Sequence, residues 1–374
     1  MNTKWDADAT LVLGDRTVPL LDRARVYACG ITPYDVTHLG HAATFVWVDV
    51  LARALWQLGV DAEICRNVTD VDDVLDQAAA RAGTDADWYA AVGQFQFDTD
   101  MSDLKVRAPR HEPRAHSYIP HVIRLARHLL HSGAAYVADG SVYFRGAAIP
   151  GVAGIDRATA LDLAAEFGGQ PDDPAKDDPL DVAVWQACGP DRVGWDSPWG
   201  RGRPGWHAEC VAMASSVFGV GVDVHAGGAD LTYPHHACHA AMAEALTGVR
   251  PYARSWLHVG VVTVDGAKMA KSSGNLVLIS DLLADHAAAV VRMMILDRPW
   301  HRSWDYTPAL LDTAAARLER LYSAAGRRSA DTAAAEEELR KALSTDLDVP
   351  AALDIAIDSG GDAARAMVTV LGLS

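Results

Sequence analysis

The pattern of apolar and polar residues near the start of the chain predicts a strand, a helix and a second strand. The run ARVYAC (24–29) is typical of a buried strand. After His41, apolar residues recur at helical spacing in FVWVDVLARALWQLG until Gly59 ends the pattern. VDAEICRNVT (60–69) indicates a second strand. Because such crossovers are right-handed and join parallel strands, we expect the opening of a doubly wound, Rossmann-like α/β sheet.

The pattern then changes in a way that predicts an inserted subdomain. SYIPHVIRLARHLLHSG (117–133) is an amphipathic helix. AYVADGSVYF (135–144) indicates a hairpin that turns at Asp139 and Gly140. The run CGPDRVGWDSPWGRGRPGW (188–206), rich in Gly, Pro and Trp, is interpreted as the return to the sheet.

The last part of the chain predicts two more strands followed by helices. VDVHAGG (222–228) reads as a strand, a helix starts after Pro234, and WLHVGVVTVDGAKM (256–269) reads as a strand and a tight turn. From Ser280 the pattern is nearly all helical. We predict four segments: 1–100, the first half of the catalytic domain; 101–203, the inserted subdomain; 204–280, the second half with the KMAKS loop; and 281–374, a C-terminal helical domain.

Composition and charge narrow the class of protein. The chain has 374 residues, 50% of them hydrophobic, which is enough for a large core. Its 33 basic and 49 acidic residues give a net charge of −16, which argues against a general surface for nucleic acid. No targeting segment or membrane span is recognised, so we expect a cytoplasmic protein. Five scattered cysteines indicate buried or metal-bound thiols rather than disulfides.

Two short motifs suit the binding of a polyphosphate. HLGH (38–41) starts the first helix, where free backbone N–H groups and the helix dipole favour an anion. KMAKS (268–272) places Lys268 and Lys271 in a loop after a strand. Each motif alone also fits an interpretation without function: HLGH could be surface or capping histidines, and KMAKS could be a solvated basic turn. Their joint presence at two predicted strand ends is far more specific.

These motifs resemble the HIGH and KMSKS motifs of the class I aminoacyl-tRNA synthetases. CGITPYDVTHLGH (29–41), RNVTDVDD (66–73), GRPGWHAEC (202–210) and HAGGADL with PHH (225–236) resemble the cysteinyl branch of that family, in the same order. Within this branch, CGITPYD is more similar to the mycothiol ligases, which are cysteine:glucosaminyl-inositol ligases, than to cysteinyl-tRNA synthetases, where CGPTVYD is usual.

The resemblance implies ATP, used with Mg²⁺, and L-cysteine as substrates, and it carries over site residues by position. The catalytic set that it implies is His38, His41, Lys268 and Lys271. Further ATP-binding residues would be Thr32, Gly40, His225, Gly227, Gly228, Asp230 and Met269. Gly30, Thr32, Thr69 and Trp206 would surround the cysteine. Trp206 could equally be an ordinary buried aromatic residue, and Thr69 a strand-end hydroxyl.

Three dispersed residues could hold a zinc ion. Cys29 ends the first strand, Cys210 lies on a predicted helix and His235 opens another, and the family resemblance supports their convergence. Three protein ligands leave a fourth position for the thiolate of a substrate. His239 occupies the place where cysteinyl-tRNA synthetases carry an acidic fourth ligand. It is either that ligand or a residue outside the coordination shell.

Three functions remain in view. The first is a ligase that forms cysteinyl-adenylate and transfers cysteine to the amine of glucosaminyl-inositol or a related amino sugar. The second is a tRNA-charging enzyme, for which the family requires an anticodon-binding domain after the helical bundle. Because the chain ends in acidic helices, we expect tRNA not to be a partner. The third is a non-catalytic regulator, which the retained motifs disfavour. We expect a monomer or a homodimer.

Overall fold

The structure is a computed structural model that describes residues 9–34, 36–270, 273–328 and 332–374. The strands are β1 Thr10–Leu13, β2 Arg16–Pro19, β3 Arg23–Ile31, β4 Asp61–Val68, β5 Ala135–Ala138, β6 Ser141–Phe144, β7 Val182–Ala187, β8 Trp195–Ser197, β9 Gly200–Pro204, β10 Val222–Gly228, β11 Ala253–Val259, β12 Val262–Val264, β13 Ala267–Lys268 and β14 Trp304–Asp305. The helices are α1 Leu39–Gln57, α2 Asp73–Ala82, α3 Ala86–Asp103, α4 Ile119–His131, α5 Ile149–Ala153, α6 Arg157–Glu166, α7 Trp206–Phe218, α8 Ala237–Thr247, α9 Ile279–Asp285, α10 Ala288–Leu296, α11 Ala309–Ala325, α12 Thr332–Ser344, α13 Val349–Ser359 and α14 Gly361–Val370.

The central sheet confirms the predicted α/β class. Its order is β11-β10-β3-β4, and all three neighbouring pairs are parallel. The predicted strand, helix and strand are β3, α1 and β4, and Gly59 follows α1 with a φ of 78°. Strands β10 and β3 are neighbours in the sheet although they are far apart in sequence. Because the strands are parallel, the motifs that follow them meet at the carboxyl ends of the strands.

The hydrophobic core occupies both faces of the sheet. One cluster joins α1 to the C-terminal helices and includes Trp47, Leu51 and Met293. The other joins α4, α7 and α8 to the inserted strands and includes Val122, Trp185 and Met242. Helices therefore cover both faces, as a parallel sheet requires.

The inserted region forms a five-stranded antiparallel sheet in the order β5-β6-β7-β9-β8. The predicted hairpin is present, with Asp139 and Gly140 at φ values of 48° and 77°. The run 188–206 was expected to return the chain to the central sheet, but most of it forms the hairpin of β8 and β9. Trp206, the last residue of the run, is its only residue in α7. Alternating burial is weak in this Gly-rich run, which is why the strands were missed.

The remaining elements are a small hairpin and the C-terminal helices. Strands β1 and β2, which the sequence did not indicate, pair antiparallel before the central sheet. From α9 onward the chain is helical apart from β14, as expected. No helix among the described residues is long and apolar enough to span a membrane. The division into four segments stays a prediction.

One buried ion pair fastens the C-terminal helices to the catalytic domain. Arg292 on α10 is completely buried, and its guanidinium lies 2.8 Å from the carboxylate of Asp49 on α1. The same group donates to the carbonyl oxygens of Leu371 at 2.7 Å and Leu104 at 3.0 Å. Arg53 and Arg107 also contact Asp49. Each of the three guanidinium nitrogens thus donates to a different part of the chain.

Replacing this arginine is expected to destabilise the protein strongly. Arg292→Met removes one partner of a buried charge pair and leaves two buried carbonyl oxygens without a donor, which should lower the free energy of unfolding by about 3–5 kcal/mol. Urea denaturation followed by circular dichroism measures the change. The control is Arg23→Met, which breaks an exposed ion pair with Glu63 and should cost about 0.5 kcal/mol or less. Equal effects of the two variants would contradict the prediction.

Candidate active site

A cavity of about 730 Å³ opens at the carboxyl ends of β3, β4 and β10. We call it the main cavity. Its wall includes most of the predicted site residues, namely Cys29, Gly30, Thr32, His38, Gly40, His41, Thr69, Trp206, Cys210, Gly228, Asp230, His235, Lys268 and Met269. Lys271 lies outside the described residues. This is the place where sheets of this class bind their ligands.

The HLGH motif forms the first turn of α1. His38 is the N-cap, and its Nδ1 accepts a hydrogen bond from the backbone N–H of Gly40 at 3.1 Å. The ring of His41 stacks on that of His38 with 3.9 Å between centroids. A Cβ on residue 40 would lie 3.0 Å from the His38 ring. Glycine therefore keeps the backbone of this helix start accessible from the cavity, where the N-terminal dipole favours an anion.

The described residues of the KMAKS motif, 268–270, line the main cavity beside the same helix start. Met269 is buried, and its methyl group would lie 3.4 Å from a Cβ on Gly40. The Nζ of Lys268 contacts the carboxylate of Asp230 at 2.6 Å. Asn275, which was not predicted as a site residue, accepts from the N–H of Ala270 at 2.9 Å and donates to the carbonyl of Lys268 at 3.2 Å. The two phosphate motifs thus face one space.

Three of the predicted metal ligands meet at the base of the main cavity. The Sγ atoms of Cys29 and Cys210 and a ring nitrogen of His235 all lie within 4.8 Å of one another, and all three residues are buried. Burial, together with the neighbouring Cys210 thiol, raises the pKa of Cys29 well above its usual range. Two thiolates, on Cys29 and Cys210, would therefore need a cation beside them to be stable in this buried place. The set could hold a metal ion.

The imidazole of His235 is held in position by two neighbours. Its Nδ1 lies 2.7 Å from Nδ1 of His207, and its ring stacks on the indole of Trp206 at 4.1 Å between centroids. Burial lowers the pKa of His235 well below 6.5 and that of His207 to about 4, so both rings are neutral. When His235 donates its Nδ1–H to His207, its Nε2 carries a free lone pair for a metal. Sequence reasoning did not single out His207.

His225 and Gly227 do not line the main cavity, although both were predicted to contact the nucleotide. His225 is fully buried, and its Nε2 lies 3.5 Å from the Sγ of Cys29. Cys29, His225 and His236 form a second group of donor atoms within 4.8 Å of one another. A Cβ on Gly227 would lie only 2.7 Å from the His236 ring. This glycine therefore makes room for an imidazole behind the cavity wall.

His239 belongs to neither group of donor atoms in the described part of the chain. It is fully buried, and its two ring nitrogens have no hydrogen-bond partner among the described residues. Its ring contacts those of Tyr27, His225 and Tyr252 at centroid distances of 5.4, 4.6 and 4.9 Å. Burial lowers its pKa to about 3, so the ring is neutral. In the described residues His239 is therefore grouped with these aromatic rings, and its role as a fourth ligand stays a prediction to be tested.

Two of the residues predicted to bind cysteine, Gly30 and Thr69, are held by Asn67, which sequence reasoning also missed. Its Oδ1 accepts from the N–H of Gly30 at 2.9 Å, and its Nδ2 donates to Oγ1 of Thr69 at 3.0 Å. A Cβ on Gly30 would lie 1.7 Å from the carbonyl oxygen of Asn67, so only glycine fits there. The motif RNVTDVDD (66–73) contains Asn67 at the end of a predicted strand. A buried Asn at such a place usually makes hydrogen bonds to the backbone beside it, so the motif could have indicated this role.

Comparison with known proteins agrees with this geometry. Residues 18–316 match the family described as tRNA synthetases class I (C) catalytic domain. A protein of Streptomyces coelicolor named L-cysteine:1D-myo-inositol 2-amino-2-deoxy-alpha-D-glucopyranoside ligase is 44% identical over 338 residues, 88% of this chain and 82% of that protein. A protein of Nocardia farcinica with the same name is 44% identical over 345 residues, with the same two coverages.

A solved structure shows the fold at greater distance. Mycobacterium tuberculosis methionyl-tRNA synthetase, solved in complex with methionyl-adenylate, superposes with a TM-score of 0.65 over 91% of this chain and 82% of its own, at 16% identity. The similarity at this identity concerns the fold alone. The family match and the two relatives carry the assignment: the chain belongs to the class I aminoacyl-tRNA synthetase catalytic-domain family of the cysteinyl type, in the branch of the L-cysteine:1D-myo-inositol 2-amino-2-deoxy-alpha-D-glucopyranoside ligases.

Proposed function

We propose that this protein is an ATP-dependent ligase that joins L-cysteine to the amine of glucosaminyl-inositol or a closely related amino sugar. The observation that carries the proposal is the meeting of three features in one cavity. These are the helix start at His38, the lysine loop at Lys268 and the thiol and imidazole donors around Cys29. The relatives' names supply the acceptor. The five free cysteines fit a reducing compartment, so we place the reaction in the cytoplasm.

The first half of the reaction uses the nucleotide end of the cavity. The carboxylate of cysteine attacks the α-phosphorus of ATP, a new O–P bond forms, and the bond between the α-phosphorus and the bridging oxygen breaks, so that pyrophosphate leaves with that oxygen and the electron pair. The N-terminus of α1, the histidines of HLGH and the ammonium of Lys268 would neutralise the charge on the phosphates, with Mg²⁺ as a further counter-ion. The products are cysteinyl-adenylate and pyrophosphate.

The second half transfers the acyl group. The free amine of the sugar attacks the carbonyl carbon of cysteinyl-adenylate, a C–N bond forms, and the C–O bond to the phosphate breaks. AMP leaves, and the amine loses a proton to solvent. Gly30, Thr69 and Trp206 line the cavity beside the metal-ligand set, where they would hold the cysteine backbone. The outcome is an amide, AMP and pyrophosphate.

Cys29, Cys210 and His235 would hold a zinc ion, because two thiolates and an imidazole are ligands that zinc prefers. When bound, the ion supplies a soft Lewis-acid position for the thiolate of the substrate. The protein's own part is to keep these three donors buried and oriented. Serine, which lacks a thiol, and valine, which lacks any donor, would not gain this bond, so the site favours cysteine.

The runner-up is a tRNA-charging enzyme, and the experiment must separate the two. We expect ATP–pyrophosphate exchange only when cysteine is present, and amide formation with glucosaminyl-inositol at a rate that exceeds the charging of tRNA. Lys268→Ala should lower the exchange rate ~100-fold or more, because charge stabilisation of the transferred group is lost. Lys341→Ala, an exposed lysine on α12, is the control and should leave exchange unchanged. Cysteine loading of tRNA at a rate comparable to amide formation would favour the runner-up.

The metal is tested independently of activity. Purified, dialysed protein should contain about one zinc per chain, and Cys210→Ser should lose most of it because a neutral hydroxyl is a poor ligand for this ion. Elemental analysis by mass spectrometry measures the content. Cys188→Ser is the matched control, since Cys188 is part of neither donor group and should leave the zinc content unchanged. Full zinc occupancy in Cys210→Ser would refute the ligand set.

The role of His239 gives a separate prediction. Because His239 belongs to neither group of donor atoms, we expect His239→Ala to keep its zinc while the KM for cysteine in the exchange reaction rises ~10- to 100-fold through poorer orientation of the ligands. Zinc content and exchange kinetics are measured on the same preparation. If His239→Ala loses zinc as completely as Cys210→Ser, His239 is a fourth ligand and the placement outside the coordination shell is wrong.

A further inference from the structure

A second cavity lies on the other side of Trp206. We call it the side cavity; its volume is about 290 Å³, near the lower end of the range for small-molecule sites. Its wall combines the start of α2, the start of α7 and strands and loops of the inserted subdomain. Val74 and Trp206 line both the side cavity and the main cavity. Among the residues that the structure describes, these two side chains form the border between the two spaces.

The side cavity has the chemistry of a site for a polyhydroxylated ligand. Asp72 offers a carboxylate that accepts hydrogen bonds, and Arg192 offers a guanidinium that donates them. Gln186, on β7, can do both, and its side-chain amide makes no hydrogen bond to another residue in the described part of the chain. The aromatic rings of Phe167 and Trp206 provide flat apolar faces for the C–H groups of a sugar ring. The mixture of both charges suits neutral hydroxyls better than a polyanion.

The polar wall of the side cavity is already built. Arg203, largely buried, contacts Asp76 at 2.9 Å and the carbonyl of Val193 at 2.8 Å. Its Nε lies 3.5 Å from Asp73, which also pairs with Arg192. These ion pairs join the inserted subdomain to α2. A ligand would therefore meet groups whose positions are fixed before it binds, which lowers the entropic cost of binding.

We infer that the side cavity binds the amino-sugar acceptor, with the amine directed across the border formed by Val74 and Trp206. The inference rests on the proposed function. Trp206 stacks on His235, so a cysteine bound at the main-cavity donors would have its acyl carbon next to this border. The amine that attacks this carbon must come from a neighbouring space, and the side cavity is the polar space that shares a wall with it.

The two half-reactions allow a direct test. Gln186→Ala and Arg192→Ala remove polar groups that face the acceptor but not the nucleotide. In each, kcat/KM for amide formation with glucosaminyl-inositol should fall ~10-fold or more through a higher KM, because a hydrogen bond to the ligand is lost. Cysteine-dependent ATP–pyrophosphate exchange should stay within about two-fold of the parent enzyme. Arg145→Gln, an arginine of the same subdomain that pairs with Asp177 outside the cavity, should change neither reaction.

The outcomes separate this inference from the proposed function. If the parent shows no cysteine-dependent exchange, or exchanges but forms no amide with any amino sugar, the proposed function fails. If the parent forms the amide and both cavity variants keep the acceptor KM within two-fold, the side cavity is not the acceptor site and only this inference fails. Should exchange fall together with amide formation in both variants, the cavity serves the main site and the inference is again wrong.

Discussion

The active site depends on one electrostatic constraint, which is the close approach of two buried thiols and an imidazole. Cys29, Cys210 and His235 come from the end of β3, the first turns of α7 and the turn before α8. Charged thiolates are costly in such a place unless a cation and further donors accompany them. These three elements are therefore packed so that a few sulfur and nitrogen atoms lie within 4.8 Å of one another. Trp206 stacks on His235 and so connects this group of donor atoms to the cavity wall.

The sequence predicted those features that depend on local patterns. The helical spacing of apolar residues that predicts α1 between two strands is local, and so is the turn at Asp139 and Gly140. Both features are present in the structure. The sequence could not reveal which face of β10 meets the cavity, because that depends on strand register. For this reason His225 was expected at the nucleotide and lies behind the wall. His207 and Asn67 escaped notice because each acts by orienting another residue across the fold.

The two cavities are built from different parts of the chain. The main cavity is formed by the strand ends of the central sheet and its two phosphate motifs, whereas the inserted subdomain supplies much of the side cavity. Changes at Gln186 or Arg192 can alter one space without moving the donors around Cys29. A catalytic domain with this arrangement can keep one activation chemistry and change its acceptor. Val74 and Trp206 are the exceptions, since each lines both spaces.

The buried guanidinium of Arg292 has a consequence for how such a chain can diversify. Its bonds reach Asp49 on α1 and the carbonyl of Leu371 at the end of α14, so the C-terminal helices supply the fully buried cation that pairs with Asp49. They are not a detachable module. Recombination that exchanged these helices for an unrelated domain would leave a buried carboxylate without its innermost cation. New domains are therefore expected to be added beyond Leu371, with the helices retained as a permanent part of the catalytic unit.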